Sequence, residues 1–209
     1  MNRLGLMHPS TLTSKHNTER SALYHALSSH ATHTFNTIPL TWKLPSTSAL
    51  VGTYGILLHT PHIGRAYLDF RSALASLPGL TPRLQSILTL VVAAYENCAY
   101  QIYTATRFGT ANGLTRNELD SLRAGLYAQS FGEEDKAAYR VARELCAGAG
   151  PLSERVWDES VQVLGREGVL KAVHVVGFER YVAAILRGFD AQVPAPGERV
   201  ENVVGLGGA

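Results

Sequence analysis

The stretch Arg83 to Gly113, RLQSILTLVVAAYENCAYQIYTATRFGTANG, decides the fold. Its first part, Ile87 to Ala94, is apolar nearly all round except for Thr89. An apolar run of this length, without period-two alternation, reads as a buried helix rather than a strand. Thr81 and Pro82 supply the start: a hydroxyl cap, then a proline at the first helical position, where its missing N–H costs nothing. The apolar run stops at Glu96-Asn97-Cys98. Asn97 is a good N-cap, so a second helix is expected from there to Asn112-Gly113, with the glycine as the left-handed residue after its end.

That reading puts Cys98 in the first turn of a helix, where free backbone N–H groups stabilise a thiolate. Helical spacing places Cys98, Gln101, Ile102 and Ala105 on one face, with Tyr100, Tyr103 and Arg107 on adjacent rows. One reading is a small polar pocket at a helix junction. The other is a buried structural cysteine flanked by surface tyrosines, since free cysteine often acts as a small hydrophobe.

Outward from this centre the chain reads as further helices. One helix is expected from Pro61 to Leu77, with Ile63, Ala66, Tyr67, Phe70 and Leu74 on its apolar side and Pro78-Gly79 as its stop. Thr115 and Glu118 have capping-box spacing for a helix to about Leu126. A helix from Glu133 to about Ala147 turns Ala138, Val141, Ala142 and Leu145 inward. Two more are expected, from Ser153 through Leu164 and from Glu167 to Phe189. The last of these carries His174 among valines, which suits a buried core histidine. No strand pattern occurs, so the fold is expected to be all-α.

Residues 1–48 differ in being rich in Ser, Thr and His, with Glu19 the only acid. They read as a weakly ordered extension with one helix from about Glu19 to Ala31, and 37–47 as an extended connector. Five histidines there match no metal-ligand spacing. Their acid-poor character is shared with organelle transit peptides, but arginines are too few to favour one. Residues 49–190 form the expected helical domain, and 191–209 a Pro/Gly-rich tail.

A chain of 209 residues, 45% hydrophobic and 17% charged, can bury a single core. A net charge of +2 without a Lys/Arg stripe gives no reason to expect nucleic acid. No run approaches a membrane-spanning length. Two cysteines, Cys98 and Cys146, in separate helices do not make a disulfide framework, so a reducing, cytoplasmic compartment is expected.

The central stretch resembles the carboxymuconolactone decarboxylase and alkylhydroperoxidase D-like superfamily. Its peroxidase-like branch carries Cys-x-x-Cys-x-x-x-His at this helix start, with a Glu about twelve residues upstream. Here Cys98 matches the first Cys, while Gln101, Ala105 and Ser86 stand at the second Cys, the His and the Glu. The decarboxylase-like branch tends to carry Tyr-Glu-Trp-x-x-His. Tyr95-Glu96 match, but Asn97 and Tyr100 replace the Trp and the His. Leu57-Leu58-His59-Thr60-Pro61 resembles the family's LLHxP segment, Asn112 to Gly125 its aGLsxxEixalrag segment, and Val173 to Phe189 its closing helix, vxlvGxYxxvaxxLnxf. The resemblance covers roughly residues 50 to 190. It implies a compact helical domain and trimers or hexamers.

Thiol peroxidase chemistry needs a resolving thiol, which Gln101 cannot supply. Decarboxylation or isomerisation of an enolisable lactone, keto acid or polyketide-like substrate needs only a pocket, a proton carrier and donors aimed at a developing enolate. His59, Cys98, Gln101 and Tyr103 are the candidate catalytic groups. His59 suits titration near neutrality, and Gln101 and Tyr103 can donate to an enolate. Tyr54, Glu96, Tyr100 and Arg107 are the candidate substrate-binding groups, Arg107 as the partner of a carboxylate. No motif implies a metal or organic cofactor. The expectation is a cofactor-independent enzyme of specialised metabolism acting on a small molecule. A Cys98-dependent oxidoreductase and a non-enzymatic binding protein are the alternatives. Helices apolar on several faces, from Pro61 to Leu77, Ile87 to Ala94 and Val173 to Leu186, independently call for a partner subunit.

Overall fold

The computed structural model describes residues 2–12 and 17–194. Its elements are a 3-10 turn at Pro9–Leu12 and the helices α1 (Thr18–Thr34), α2 (Gly52–Leu57), α3 (Pro61–Ser76), α4 (Pro82–Tyr95), α5 (Ala99–Ala111), α6 (Arg116–Arg123), α7 (Glu133–Ala147) and α8 (Glu154–Gly188). Among the described residues there is no strand, only an isolated antiparallel bridge between Lys43 and Leu50. The fold is all-α. The chain divides into a first unit, within 1–70 and 185–209, and a second, 71–184.

In the second unit α4 is the centre, packed by α5, α6 and α7. Ile87, Leu88, Leu90 and Val92 are wholly buried. Each such side chain contributes roughly 1.5–3 kcal/mol through loss of apolar surface from water. Thr81 accepts from the Leu84 N–H at 3.3 Å, so the hydroxyl-then-proline start is real. The capping box is also present: the Thr115 side chain caps the Glu118 N–H, and the Glu118 carboxylate accepts from the Thr115 N–H at 2.8 Å.

The same Glu118 belongs to an ion cluster. The Arg83 guanidinium donates to Glu118 at 2.8 Å, to Asp135 at 2.9 Å and to the Gly113 carbonyl at 2.8 Å. One side chain of α4 thus ties the end of α5, the start of α6 and the start of α7. Burial alone would raise the Glu118 carboxyl. Its hydrogen bonds from Arg83, the Thr115 N–H and Ser130 reverse that and hold it at about 2.

The junction of α4 and α5 corrects the expected cap. Asn97 is not the N-cap of α5; it has φ 48 and is the left-handed residue after α4. Its N–H donates to the Ala94 carbonyl at 3.1 Å and the Cys98 N–H to the Ala93 carbonyl at 3.0 Å, the paired bonds of a Schellman motif. Cys98 itself is the N-cap of α5, with no side-chain cap bond. Asparagine suits both positions, and spacing alone does not distinguish them.

The two expected C-terminal helices are continuous as α8 except at Gly165, where φ 71 and ψ 167 are open to glycine alone. His174 is exposed rather than buried, because it falls on the outer face of α8. In α3 the expected apolar side is only partly covered: Tyr67 and Leu74 are buried, while Ile63 and Phe70 are 51% and 44% exposed.

The first unit contains α1, α2 and the stretch expected to be weakly ordered. That expectation is corrected: Leu23, Leu27 and Ala31 of α1 are wholly buried, and Ile38, Leu40 and Trp42 beyond it are buried too. Apolar residues at i, i+4 and i+8 give α1 a narrow inward stripe that its Ser, Thr and His content obscured. His16 and the expected tail beyond residue 194 lie outside the described residues.

Candidate functional site

The α4–α5 junction buries Cys98, which is 2% exposed at the head of α5. One turn on, Gln101 is also 2% exposed. The expected shared face of Cys98, Gln101 and Ala105 is therefore the inward face. The Gln101 amide donates to the Glu179 carboxylate at 2.8 Å and to the Glu179 backbone carbonyl at 3.0 Å. Its own Oε1 is buried without a hydrogen-bond partner among the described residues.

Glu179, on α8, interrupts the apolar face of the last helix. The sequence leaves it open as a pocket residue or as an intersubunit pair with Arg180, and it is not among the expected catalytic or substrate-binding groups. Part of its surface is open to water, yet protein atoms crowd the carboxyl. That burial raises its pKa above the ordinary carboxylate value. The positive charge of Arg71 and hydrogen bonds from Gln101 and Thr89 oppose the shift without reversing it. Thr89, the one polar residue in the apolar run of α4, thus has a role. The available signal was an acid interrupting the apolar face of a helix. The closing-helix pattern Gly-x-Tyr, read onto Gly177-Phe178-Glu179, also puts Glu179 at its tyrosine.

Glu96 is half-buried and paired: Arg180 donates to it at 3.0 Å and to the Leu145 carbonyl at 3.1 Å. Tyr100 is buried rather than on the surface, its ring 5.8 Å from that of Tyr103. Arg107 lies over the Tyr103 ring at 3.7 Å and donates to the Tyr103 carbonyl at 3.1 Å. Cys146 is buried and free, and that burial raises its pKa.

Tyr54 and His59 lie in the first unit. The Tyr54 hydroxyl and His30 Nδ1 are 2.7 Å apart, and Phe35 stacks on the Tyr54 ring at 5.9 Å. His59 Nε2 is 3.3 Å from the Gly5 carbonyl, a helix-end histidine bonded to backbone. Among the described residues no group of three or more His, Cys, Asp or Glu is placed to hold a metal, and no helix is long and apolar enough to cross a membrane.

Residues 61–144 match the model of the carboxymuconolactone decarboxylase family. The helical fold agrees with that match, and at the head of α5 neither branch's motif is complete. That segment, residues 61–144, carries a domain of this family. No curated protein matches the chain. Several solved structures share its fold, among them these three. The alkylhydroperoxidase AhpD core of Ralstonia eutropha JMP134, an uncharacterised peroxidase-related protein, has a TM-score of 0.72 and 11% identity over 92% of both chains. ATU0492 from Agrobacterium tumefaciens, a putative antioxidant defence protein AhpD, has a TM-score of 0.62 and 16% identity, covering 67% of this chain and 96% of its own. A cysteine-to-alanine form of the debrominase Bmp8 in complex with 2,3,4-tribromopyrrole has a TM-score of 0.59 and 13% identity, covering 68% of this chain and 77% of its own.

Proposed function

We propose that the chain is a cofactor-independent proton-transfer enzyme, a decarboxylase or isomerase, for a small carboxylated, lactone or polyketide-like substrate. The observation that carries this reading is the Glu179 carboxyl, raised by burial and held by Gln101 and Thr89 beside Arg71. A carboxyl whose neutral and ionised forms are brought closer in energy can take a proton from carbon and return it. Glu179 replaces His59 as the proposed base, and Gln101 positions it. Cys98 sits one turn from Gln101 and shapes the same inward face. The negative charge that grows on an enolate oxygen is met by the positive charge of Arg71.

The test is hydrogen–deuterium exchange and decarboxylation, followed by NMR in deuterium oxide, over a panel of enolisable lactones and β-keto acids. The expected outcome is turnover by the wild type, about a hundredfold or more lower in Glu179→Gln. Equal rates in the two proteins, or no turnover of any panel member, would sink the proposal.

A second reading, an oxidoreductase using Cys98, is favoured by the names of the two AhpD-like structures. Gln101 stands where its resolving thiol belongs, and Cys146 is buried in α7. Peroxide turnover that survives Cys98→Ser removes this reading.

A further inference from the structure

A cavity lined by neither Gln101 nor Glu179 lies at the end of α4 and the connection from α6 to α7. It holds about 410 Å3, and its walls run from Val91 and Ala94 through Leu122 to an outer rim of Tyr95, Arg123, Leu126 and Arg143. That volume lies in the range of sites for small organic molecules.

Its shape follows from a helix end. Gly125, at φ 77, is the left-handed residue after α6. The Gly125 N–H donates to the Leu122 carbonyl at 3.0 Å and the Leu126 N–H to the Ser121 carbonyl at 2.9 Å, a second Schellman motif. The apolar residue after such a glycine usually packs back on its own helix. Leu126 does not; it stays 63% exposed at the rim. Tyr95 opposite is 44% exposed.

The charge at the rim has one sign. The Arg143 guanidinium lies 5.8 Å over the Tyr95 ring and makes no ion pair among the described residues. Arg123 is held only loosely, by the exposed Asp120 at 3.6 Å. No carboxylate lines the cavity. Of the two tyrosine hydroxyls there, that of Tyr139 is committed to the Gly125 carbonyl at 2.5 Å.

We propose that this cleft binds a small organic carboxylate with an aromatic or short aliphatic body. A bare inorganic anion would leave Leu126 and Tyr95 in water. A neutral apolar molecule would leave the Arg143 guanidinium unmatched and Arg123 with only its loose contact to Asp120. A carboxylate joined to an apolar body meets both, with its charge on Arg143 and Arg123 and its body between Leu126 and Tyr95. The site does not depend on the proton-transfer reading.

The experiment titrates the full chain with phenylacetate by calorimetry and by NMR. Phenylacetamide serves as the neutral analogue and acetate as the anion without a body. Arg143→Gln and Leu126→Ser alter exposed side chains, and thermal melting checks that each stays folded. The expected result is saturable phenylacetate binding, weakened about tenfold in each variant and about tenfold for phenylacetamide, and unchanged in Glu179→Gln. Acetate is expected to bind far more weakly than phenylacetate. Absence of saturable binding overturns the proposal, as does binding untouched by both rim variants. Binding lost in Glu179→Gln would place the ligand at the other site and overturn it too. Loss of phenylacetate binding as protein concentration rises would assign the cleft to self-association and have the same consequence.

Discussion

Asn97 shows how much one residue carries. Its left-handed backbone turns the chain from α4 into α5 and sets Cys98 at the head of the second helix. A β-branched side chain is strained there, so Asn97→Val is expected to cost about 1–2 kcal/mol while Asn97→Gly is nearly neutral. Urea denaturation of both variants measures it; equal stability would mean that the turn is not held in this conformation. Glu179 and Glu118 make opposite use of burial. Glu179 has its pKa raised, so the folded chain binds the extra proton and loses stability as pH rises above the ordinary carboxylate value of 4.5. Glu179→Gln is therefore expected to be as stable as the wild type or more so at neutral pH, which separates lost turnover from lost folding.

At the scale of elements, Arg83 is the staple of the second unit. Glu118 is lowered from 4.5 to about 2, so its contribution is fully present above pH 4.5 and is lost as pH falls from 4.5 to about 2. Arg83→Met removes the partner of two mostly buried carboxylates, Glu118 and Asp135. It is expected to cost about 3 kcal/mol at neutral pH and to flatten the acid limb of the stability profile. Urea midpoints across that pH range test both parts; an unchanged acid limb would show that the cluster contributes little. In α8 the break at Gly165 is a backbone requirement. Gly165→Ala is expected to lower stability by about 1–3 kcal/mol, read by thermal melting. A neutral result would mean that the two halves run straight through.

At the scale of the molecule, apolar side chains remain uncovered. Leu170, Val173 and Tyr181 of α8 are 53%, 39% and 39% exposed, at spacings that share one helical face. Gly177 lies between them with open space where a Cβ would be. A helix face of this kind suits a second copy of the chain. A homo-oligomer, a trimer or a dimer of trimers, is therefore proposed. Light scattering at micromolar concentration is the check: a monodisperse species at the single-chain mass of 22.6 kDa would overturn it.

The sequence by itself determined which segments are helical, because period, caps and breakers are local. Thr81-Pro82, the Thr115–Glu118 box and Gly113 mark ends whose chemistry is complete within four residues. The apolar run of α4 told its own burial, since a helix apolar on every side has no other stable place. The segment 18–34 was harder: three apolar residues give it an inward stripe, but its polar composition hid how firmly it folds. The tertiary structure alone decided the site. Gln101 and Glu179 are 78 positions apart, and nothing local says that a glutamate on the last helix meets the head of α5. Arg180 beside it, which meets Glu96, is equally charged and equally unannounced. Which of two neighbouring charged residues is raised by burial and which is paired at the surface depends on the rotation of α8 against α4 and α5. Only packing of the whole core fixes that rotation.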